Sequence, residues 1–307
     1  MKKLIIVYNP RSSHFWQVEK HVIIPSRQLK GWMVGKFEVQ PTIVDENAQR
    51  LASIIRDGDL VVAAGGDATA TISVNAVMLS KAKNVRLGVL GFGNFNDVAR
   101  CFGDLKFEDV LKHADEPQAV FPLECSVNGA HWRYGMCYFT IGMFAEACSV
   151  FDHPKTRKHL QKKSKRHTVF SLWTLAWWWL KNHRRQFMPT FELGNSSEEY
   201  VKCEKRSDYL AVNGITVAKL MKGGKWYLQD TEFLSSTGRL TRIFRLVPFM
   251  LKSMWRRVPG ITSDFDQIIF NEPADVMLQA EGEYKKLEAV ELIEIRKSRK
   301  PIMAIMK

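Results

Sequence analysis

The sequence predicts an α/β domain followed by a mostly β domain. Three observations carry this. Short apolar runs alternate with helix-patterned segments over the first third of the chain. Those runs end in loop signals such as Asn9-Pro10, Gly65-Gly66 and Gly91-Phe92-Gly93. Beyond about residue 120 the pattern changes to strand-like runs set off by Asn-Gly and Gly-Gly turns. The expected division is 1–120 for the α/β domain and 121–287 for the β domain, with the tail 288–307 a candidate to pack back on the first.

In chain order, residues 3–8 (Lys-Leu-Ile-Ile-Val-Tyr) read as a buried strand and 37–44 as a second. Residues 46–56 place Ala48, Leu51, Ala52, Ile54 and Ile55 at helical spacing. Residues 60–64 form a third strand, 69–79 a helix, 87–90 a fourth strand and 96–102 a helix. Strands alternating with helices imply a largely parallel sheet, which binds ligands at the carboxyl ends of its strands. In the second part 120–127, 133–141, 209–212, 276–278 and 288–295 read as strands, with helices near 155–185 and 239–257. Asn128-Gly129, Asn213-Gly214 and Gly223-Gly224 are turn signals.

Composition excludes several classes. The 307 residues are 46% hydrophobic and 25% charged, which suits a packed globular chain and not a disordered one. Five cysteines without a C-x-x-C pair argue against a disulfide framework and a cysteine-rich zinc site, and fit a reducing, cytoplasmic setting. No apolar run approaches the roughly 20 residues of a membrane span, and the opening run of five is too short for a secretory signal. The net charge of +13 is concentrated: 151–185 hold ten Lys or Arg against one acid, Asp152. Such a patch implies an anionic partner.

Chemistry would sit at the strand ends. Gly65-Gly66-Asp67-Ala68-Thr69 lets the backbone approach a phosphate before a helix N-terminus, with an aspartate suited to Mg²⁺. The plainer reading of Asp67 is a helix cap. Gly91-Phe92-Gly93-Asn94-Phe95-Asn96-Asp97 repeats the design, with the same alternative. Glu281-Gly282-Glu283 near the C-terminus offers two carboxylates, or simply a charged hairpin turn.

Together with Asn9-Pro10-Arg11-Ser12-Ser13, these segments resemble the diacylglycerol kinase catalytic family, which includes sphingosine, ceramide and bacterial lipid kinases. The family's G-G-D-G-T is similar to 65–69, its P-x-G-T-x-N-D to 91–97, its D-G-E to 281–283, and its V-D-hydrophobic-G-x-x-N-G loosely to 123–129. The resemblance implies a nucleotide-binding α/β domain of NAD-kinase-like type, then a β-sandwich domain, with the active site between them. It implies that ATP is the phosphoryl donor and that Asn9, Thr42, Gly65, Gly66, Asp67, Ala68, Thr69, Asn94 and Asn96 line the nucleotide. It implies that Asp67, Asp97 and Glu124 organise Mg²⁺, and that Glu283 or Glu281, with Asp97, serves the chemistry on a lipid hydroxyl.

The chain departs from the family pattern in places. Ala68 replaces a glycine; a positive φ there would cost alanine about 1–2 kcal/mol. Gly91 and Asn94 replace proline and threonine. Glu124 and Glu281 replace aspartates, moving each carboxylate out by roughly 1.5 Å. The bacterial L-x-x-D-G-L element, associated with a structural Mg²⁺, reads Leu234-Ser235-Ser236-Thr237-Gly238-Arg239, so that second metal site is expected to be absent.

A lipid substrate requires access to a membrane. Trp173, Trp177, Trp178 and Trp179 stand among apolar residues between Lys162–Arg166 and Lys181, Arg184 and Arg185. Tryptophan beside cations suits a bilayer interface, and 240–259 carry a similar mixture. These residues are therefore expected to contact an anionic membrane surface at its inner, cytoplasmic face; the alternative is two core helices with basic outer faces. Three other readings stay open: an NAD-kinase-like nucleotide kinase, a non-catalytic lipid-binding protein on a kinase scaffold, and, last, a nucleic-acid binder, for which no recognition motif is present.

Overall fold

The computed structural model describes residues 2–93, 96–152, 156, 167–182, 185–195, 207–213, 234–238, 261–262 and 265–306. The first sheet has six strands. β1 (Lys2–Tyr8), β2 (Trp32–Glu38), β3 (Leu60–Gly65), β4 (Arg86–Gly91) and β5 (Gln118–Val120) are joined by a late strand, β15 (Ile302–Ala304), in the order β2-β1-β3-β4-β15-β5. All neighbours are parallel except β15 and β5. Helices cover both faces. Leu4, Ile6 and Tyr8 face one apolar cluster and Ile5 and Val7 the other, the period-two alternation of a strand buried on two sides.

The second sheet is antiparallel and continuous, with nine strands among the described residues. They are β6 (Leu123–Val127), β7 (Ala130–Gly135), β8 (Tyr138–Gly142), β9 (Phe191–Gly194), β10 (Tyr209–Asn213), β11 (Leu234–Gly238), β12 (Ile261–Thr262), β13 (Gln267–Ala280) and β14 (Glu283–Lys297). Their order is β12-β11-β10-β8-β13-β14-β6-β7, with β9 paired to the start of β13. The fold class expected from the sequence, a parallel α/β domain joined to an antiparallel β domain, is the one observed.

Helix Asp67–Leu79 is the shared wall. Its residues from Thr69 to Met78 are all buried, because the first sheet covers one side and β7 the other. Asn75 fixes that contact by pairing both ways with the Tyr134 backbone, donating at 2.9 Å and accepting at 2.8 Å. Arg133 adds an ion pair to Asp45 on helix Val44–Ile54, at 2.7 Å.

Several elements differ from their sequence-based expectations. The second strand lies at Trp32–Glu38, not 37–44: it is a half-exposed edge strand, so its burial pattern is faint. Residues 15–26 are helical, with a π turn at Glu19–Ile23, a segment without a sequence-based assignment. The run 133–141 is two strands, broken at Met136-Cys137. Helix His167–Asn182 lies within the segment expected near 155–185, whereas helix Met143–Asp152 had no sequence-based assignment. The tail divides: Glu283–Lys297 stays in the second sheet, and Ile302–Ala304 alone returns to the first. The helix expected near 239–257 lies outside the described residues.

Candidate functional site

Parallel register sets the loops side by side. Tyr8 pairs with Ala64, and Gly65 with Gly91, so Asn9, Gly66 and Phe92 all leave the carboxyl edge of the first sheet together. Asn9 shapes its own turn, its Oδ1 accepting from the Arg11 N–H at 2.9 Å. Thr42, exposed after β2 at the same edge, accepts a 2.9 Å hydrogen bond from Asn47 Nδ2.

The two glycine loops touch backbone to backbone. A Cβ on Gly93 would stand 2.5 Å from the Gly66 Cα and cannot be accommodated without a shift of backbone, while one on Gly66 would make a tight 3.3 Å contact with the Gly93 Cα. The Phe92 N–H donates to the Gly65 carbonyl at 2.7 Å. The side chain of Thr69 folds over Gly65, filling the space a Cβ would take. Asn96, in the left-handed region at φ 56°, accepts from the Gly93 N–H at 2.6 Å and donates to its carbonyl at 3.0 Å. Asn96 thus folds the loop it belongs to. Asn94 lies outside the described residues. Ala68 is an ordinary helical residue in the first turn of helix Asp67–Leu79, so the cost expected for a non-glycine there does not arise.

Asp67 opens that helix. Its Oδ1 accepts from the Val98 N–H at 3.0 Å, tying the first loop to the helix after the second. Burial raises the Asp67 carboxyl above its ordinary range, against the Val98 hydrogen bond and the nearby Arg100 charge. Asp97 is buried and ion-paired with Arg100 one turn on. Its other oxygen accepts from the Tyr138 hydroxyl at 3.5 Å.

The third carboxylate comes from the β domain. Glu281 and Gly282, with φ of 51° and 91°, are the two central residues of the tight turn between β13 and β14. Glu281 is only 1% exposed. Its Oε1 accepts from the N–H groups of Met136 and Cys137, the latter at 2.6 Å, and its Oε2 accepts from Thr71 Oγ1 at 3.0 Å. The break between β7 and β8 frees those two N–H groups from the sheet, and Glu281 collects them. Burial pushes its carboxyl up to about 7 despite these donors. Glu283, half-buried, begins β14 just beyond the turn.

The remaining predicted residues are placed apart from this cluster. Glu124 lies on β6, bonded to Arg296 at 3.4 Å, with the His131 ring 3.6 Å away and the Tyr134 hydroxyl as a further partner. These partners do not include Asp67 or Asp97. On helix His167–Asn182, Trp173 and Trp177 are 62% and 52% exposed and stack at 6.1 Å, with Lys181 over Trp177. Trp179, expected at the membrane, is instead 8% exposed among Met143, Phe187 and Tyr209, and Trp178 is half-buried against Phe187. Consecutive helical residues point in different directions, so one turn serves both core and surface. Arg185 pairs with Glu146 at 3.2 Å. Arg184 lies outside the described residues.

Mg²⁺ is held in proteins by one or two carboxylates together with phosphate oxygens and water. Asp67, at a helix N-terminus beside two glycine loops, fits that role. Asp97 fits it less well, since Arg100 and Tyr138 engage its oxygens. Among the described residues no three His, Cys, Asp or Glu side chains gather as a metal-binding group. A cavity of about 560 Å³ between Gln49 and Ala82 opens near the opposite edge of the sheet, away from these loops.

Sequence reasoning missed Thr71, Arg100, Tyr138 and the Met136-Cys137 backbone. Arg100 was legible as an i,i+3 partner of Asp97; the others carry no local signal.

The comparisons bear on this arrangement. Residues 3–120 match the family model of the diacylglycerol kinase catalytic domain. A diacylglycerol kinase of Bacillus subtilis strain 168 is 32% identical over 117 residues, which cover 38% of this chain and 37% of that protein. The match thus spans little more than a third of the curated relative. Two solved structures from Bacillus anthracis strain Sterne share the fold at 16% identity, with TM-scores of 0.63 and 0.61. They cover 99% and 98% of this chain, and 97% and 96% of their own; the second is described as a diacylglycerol kinase. Among the described residues no helix is long and apolar enough to cross a membrane. The resemblance read from the motifs is borne out over residues 3–120, which are similar to the diacylglycerol kinase catalytic domain; the segments 123–129 and 281–283 lie beyond that match.

Proposed function

We propose that this protein is a lipid kinase, transferring the γ-phosphoryl group of ATP to a hydroxyl of diacylglycerol or a related lipid. The observation that carries the reading is the meeting of two glycine loops at one sheet edge with the Glu281-Gly282-Glu283 turn of the other domain, joined through helix Asp67–Leu79. Phosphoryl transfer asks mainly for positioning and charge neutralisation. Gly65, Gly66 and the helix N-terminus at Asp67, Ala68 and Thr69 offer backbone approach and N–H groups to phosphate oxygens. Asn9 and Thr42 stand at the same sheet edge as that cradle, Asn96 holds its second loop in shape, and the family resemblance assigns Asn94 to the nucleotide as well. Mg²⁺ bound with the nucleotide would neutralise phosphate charge, with Asp67 as its protein carboxylate.

The two glutamates divide the labour. Glu281 already accepts three hydrogen bonds and acts as a positioning residue that seats the turn. Glu283 is assigned the proton of the lipid hydroxyl as the oxygen attacks the γ-phosphorus and ADP leaves. Trp173, Trp177 and Lys181 form an exposed aromatic and cationic ridge suited to the interface of an anionic membrane.

The test is phosphoryl transfer from labelled ATP with Mg²⁺ to diacylglycerol, monoacylglycerol, phosphatidylglycerol, sphingosine and ceramide in mixed micelles, with Asp67→Ala and Glu283→Ala alongside. A labelled lipid lost in both variants supports the kinase and names its substrate. Nucleotide binding without product on any lipid would favour a non-catalytic lipid-binding scaffold.

A further inference from the structure

We propose that Cys101 and Cys137 are an oxidisable dithiol that closes into a disulfide across the junction of the two domains. Cys101 ends helix Asp97–Cys101 of the α/β domain, and Cys137 lies in the break between β7 and β8. Their sulfurs are 2.8 Å apart, although 36 residues separate them in the chain. A disulfide needs about 2.05 Å, so closure takes less than an ångström of movement. Cys125 is buried in the apolar cluster of the second sheet, and Cys148 is on helix Met143–Asp152.

Both sulfurs are shielded, Cys101 at 8% exposure and Cys137 at 1%. Burial also pushes the Cys137 thiol well up, which protects it from direct attack. The oxidant must therefore be small, and hydrogen peroxide is of the right size. The Cys101 thiolate attacks one peroxide oxygen and displaces hydroxide, which takes a proton to become water; Cys101 is then a sulfenic acid. The Cys137 sulfur attacks the Cys101 sulfur, the S–O bond breaks, and the departing hydroxyl leaves as a second water with the Cys137 proton. The two sulfurs have lost two electrons and peroxide has gained them.

The bond would act on the site without occupying it. The N–H of Cys137 holds Glu281, its neighbour Tyr138 holds Asp97, and Asp97 and Arg100 share the helix that Cys101 ends. The cross-link therefore ties the second glycine loop's helix to the strand break that seats the catalytic turn. The dithiol does not depend on the lipid-kinase reading, and its test reads the bond itself.

The full chain, folded and reduced, is treated with hydrogen peroxide, alkylated under denaturing conditions, digested without reductant and mapped by mass spectrometry. The expected result is a Cys101–Cys137 peptide pair, loss of two alkylatable thiols, a higher Tm, and reversal of all three by dithiothreitol. Cys101→Ser and Cys137→Ser should lose both the pair and the Tm rise, with Cys101→Ala in reserve should the serine variant not fold. The proposal is overturned if both thiols remain alkylatable while Cys148 is oxidised, if the pair forms only in denaturant, or if Cys101 passes to sulfinic acid without cross-linking.

Discussion

Thr71 donates to Glu281 across 3.0 Å and 210 positions of sequence, joining the wall helix of the α/β domain to a turn of the β domain. Glu281 holds a left-handed backbone conformation that is unusual for a side chain of its size, and its carboxylate accepts three hydrogen bonds there. The bonds compensate the backbone, and the backbone aims the carboxylate. Replacing Glu281 with Ala would leave the Met136 and Cys137 N–H groups and the Thr71 hydroxyl without this acceptor. The expected loss is about 2–4 kcal/mol, read as a lower midpoint in urea. An unchanged midpoint would mean that the turn is held by something else.

The same carboxylate sets a pH dependence. Its folded pKa is raised to about 7, by burial first and by the Asp67 charge in addition, above the ordinary value of 4.5. Between those values the unfolded chain has lost this proton and the folded chain keeps it. Stability from this group therefore falls as pH rises from about 4.5 to about 7 and is flat above, by on the order of 3 kcal/mol in all. Glu281→Gln removes the titration. The difference between wild type and Glu281→Gln in unfolding free energy should slope across that window; a flat difference would place the folded pKa near its ordinary value.

Asp97 and Arg100 make a second sharp case. Both side chains are nearly buried, at 9% and 13% exposure, so neutralising Asp97 takes a short-range ion-pair partner from Arg100. Asp97→Asn should cost about 3–5 kcal/mol, and a double substitution that also neutralises Arg100 should recover part of it. Strict additivity of the two single changes in denaturant unfolding would show that the pair is not coupled.

The glycine loops yield opposite expectations for two small changes. Gly93→Ala sets a Cβ against the Gly66 backbone, so both stability and nucleotide affinity should fall, the former by about 1–3 kcal/mol. Ala68→Gly restores the family's residue yet should destabilise by about 0.5–1 kcal/mol, because Ala68 is helical and needs no positive φ. Thermal melts of both variants, with fluorescent nucleotide titrations, check the pair.

On helix His167–Asn182 neighbouring tryptophans should behave differently. Trp179→Ala should cost about 3–5 kcal/mol as a core truncation. Trp173→Ala and Trp177→Ala should leave Tm nearly unchanged and weaken sedimentation with anionic vesicles. Equal vesicle binding by wild type and a Trp173/Trp177 double variant would remove the ridge from the membrane reading.

Three central strands of the first sheet, β1, β3 and β4, and the glycine loops at its edge were legible in the sequence alone. Buried parallel strands are continuous apolar runs, and the phosphate-type loops are contiguous segments, so their signals are local. Asp67 and Asp97 were legible for the same reason, and Gly282 marked the late turn. Tertiary structure alone decided the rest. It split 133–141 into two strands, and the N–H groups freed at the break are taken up by Glu281, a partner distant in sequence. It buried Trp179 and exposed Trp173 and Trp177, because helix orientation against Met143, Phe187 and Tyr209 is a packing outcome with no local code. It set Thr71 beside Glu281 and Cys101 beside Cys137, partners from helices of the first domain and turns or breaks of the second that meet only once the two domains close on one helix.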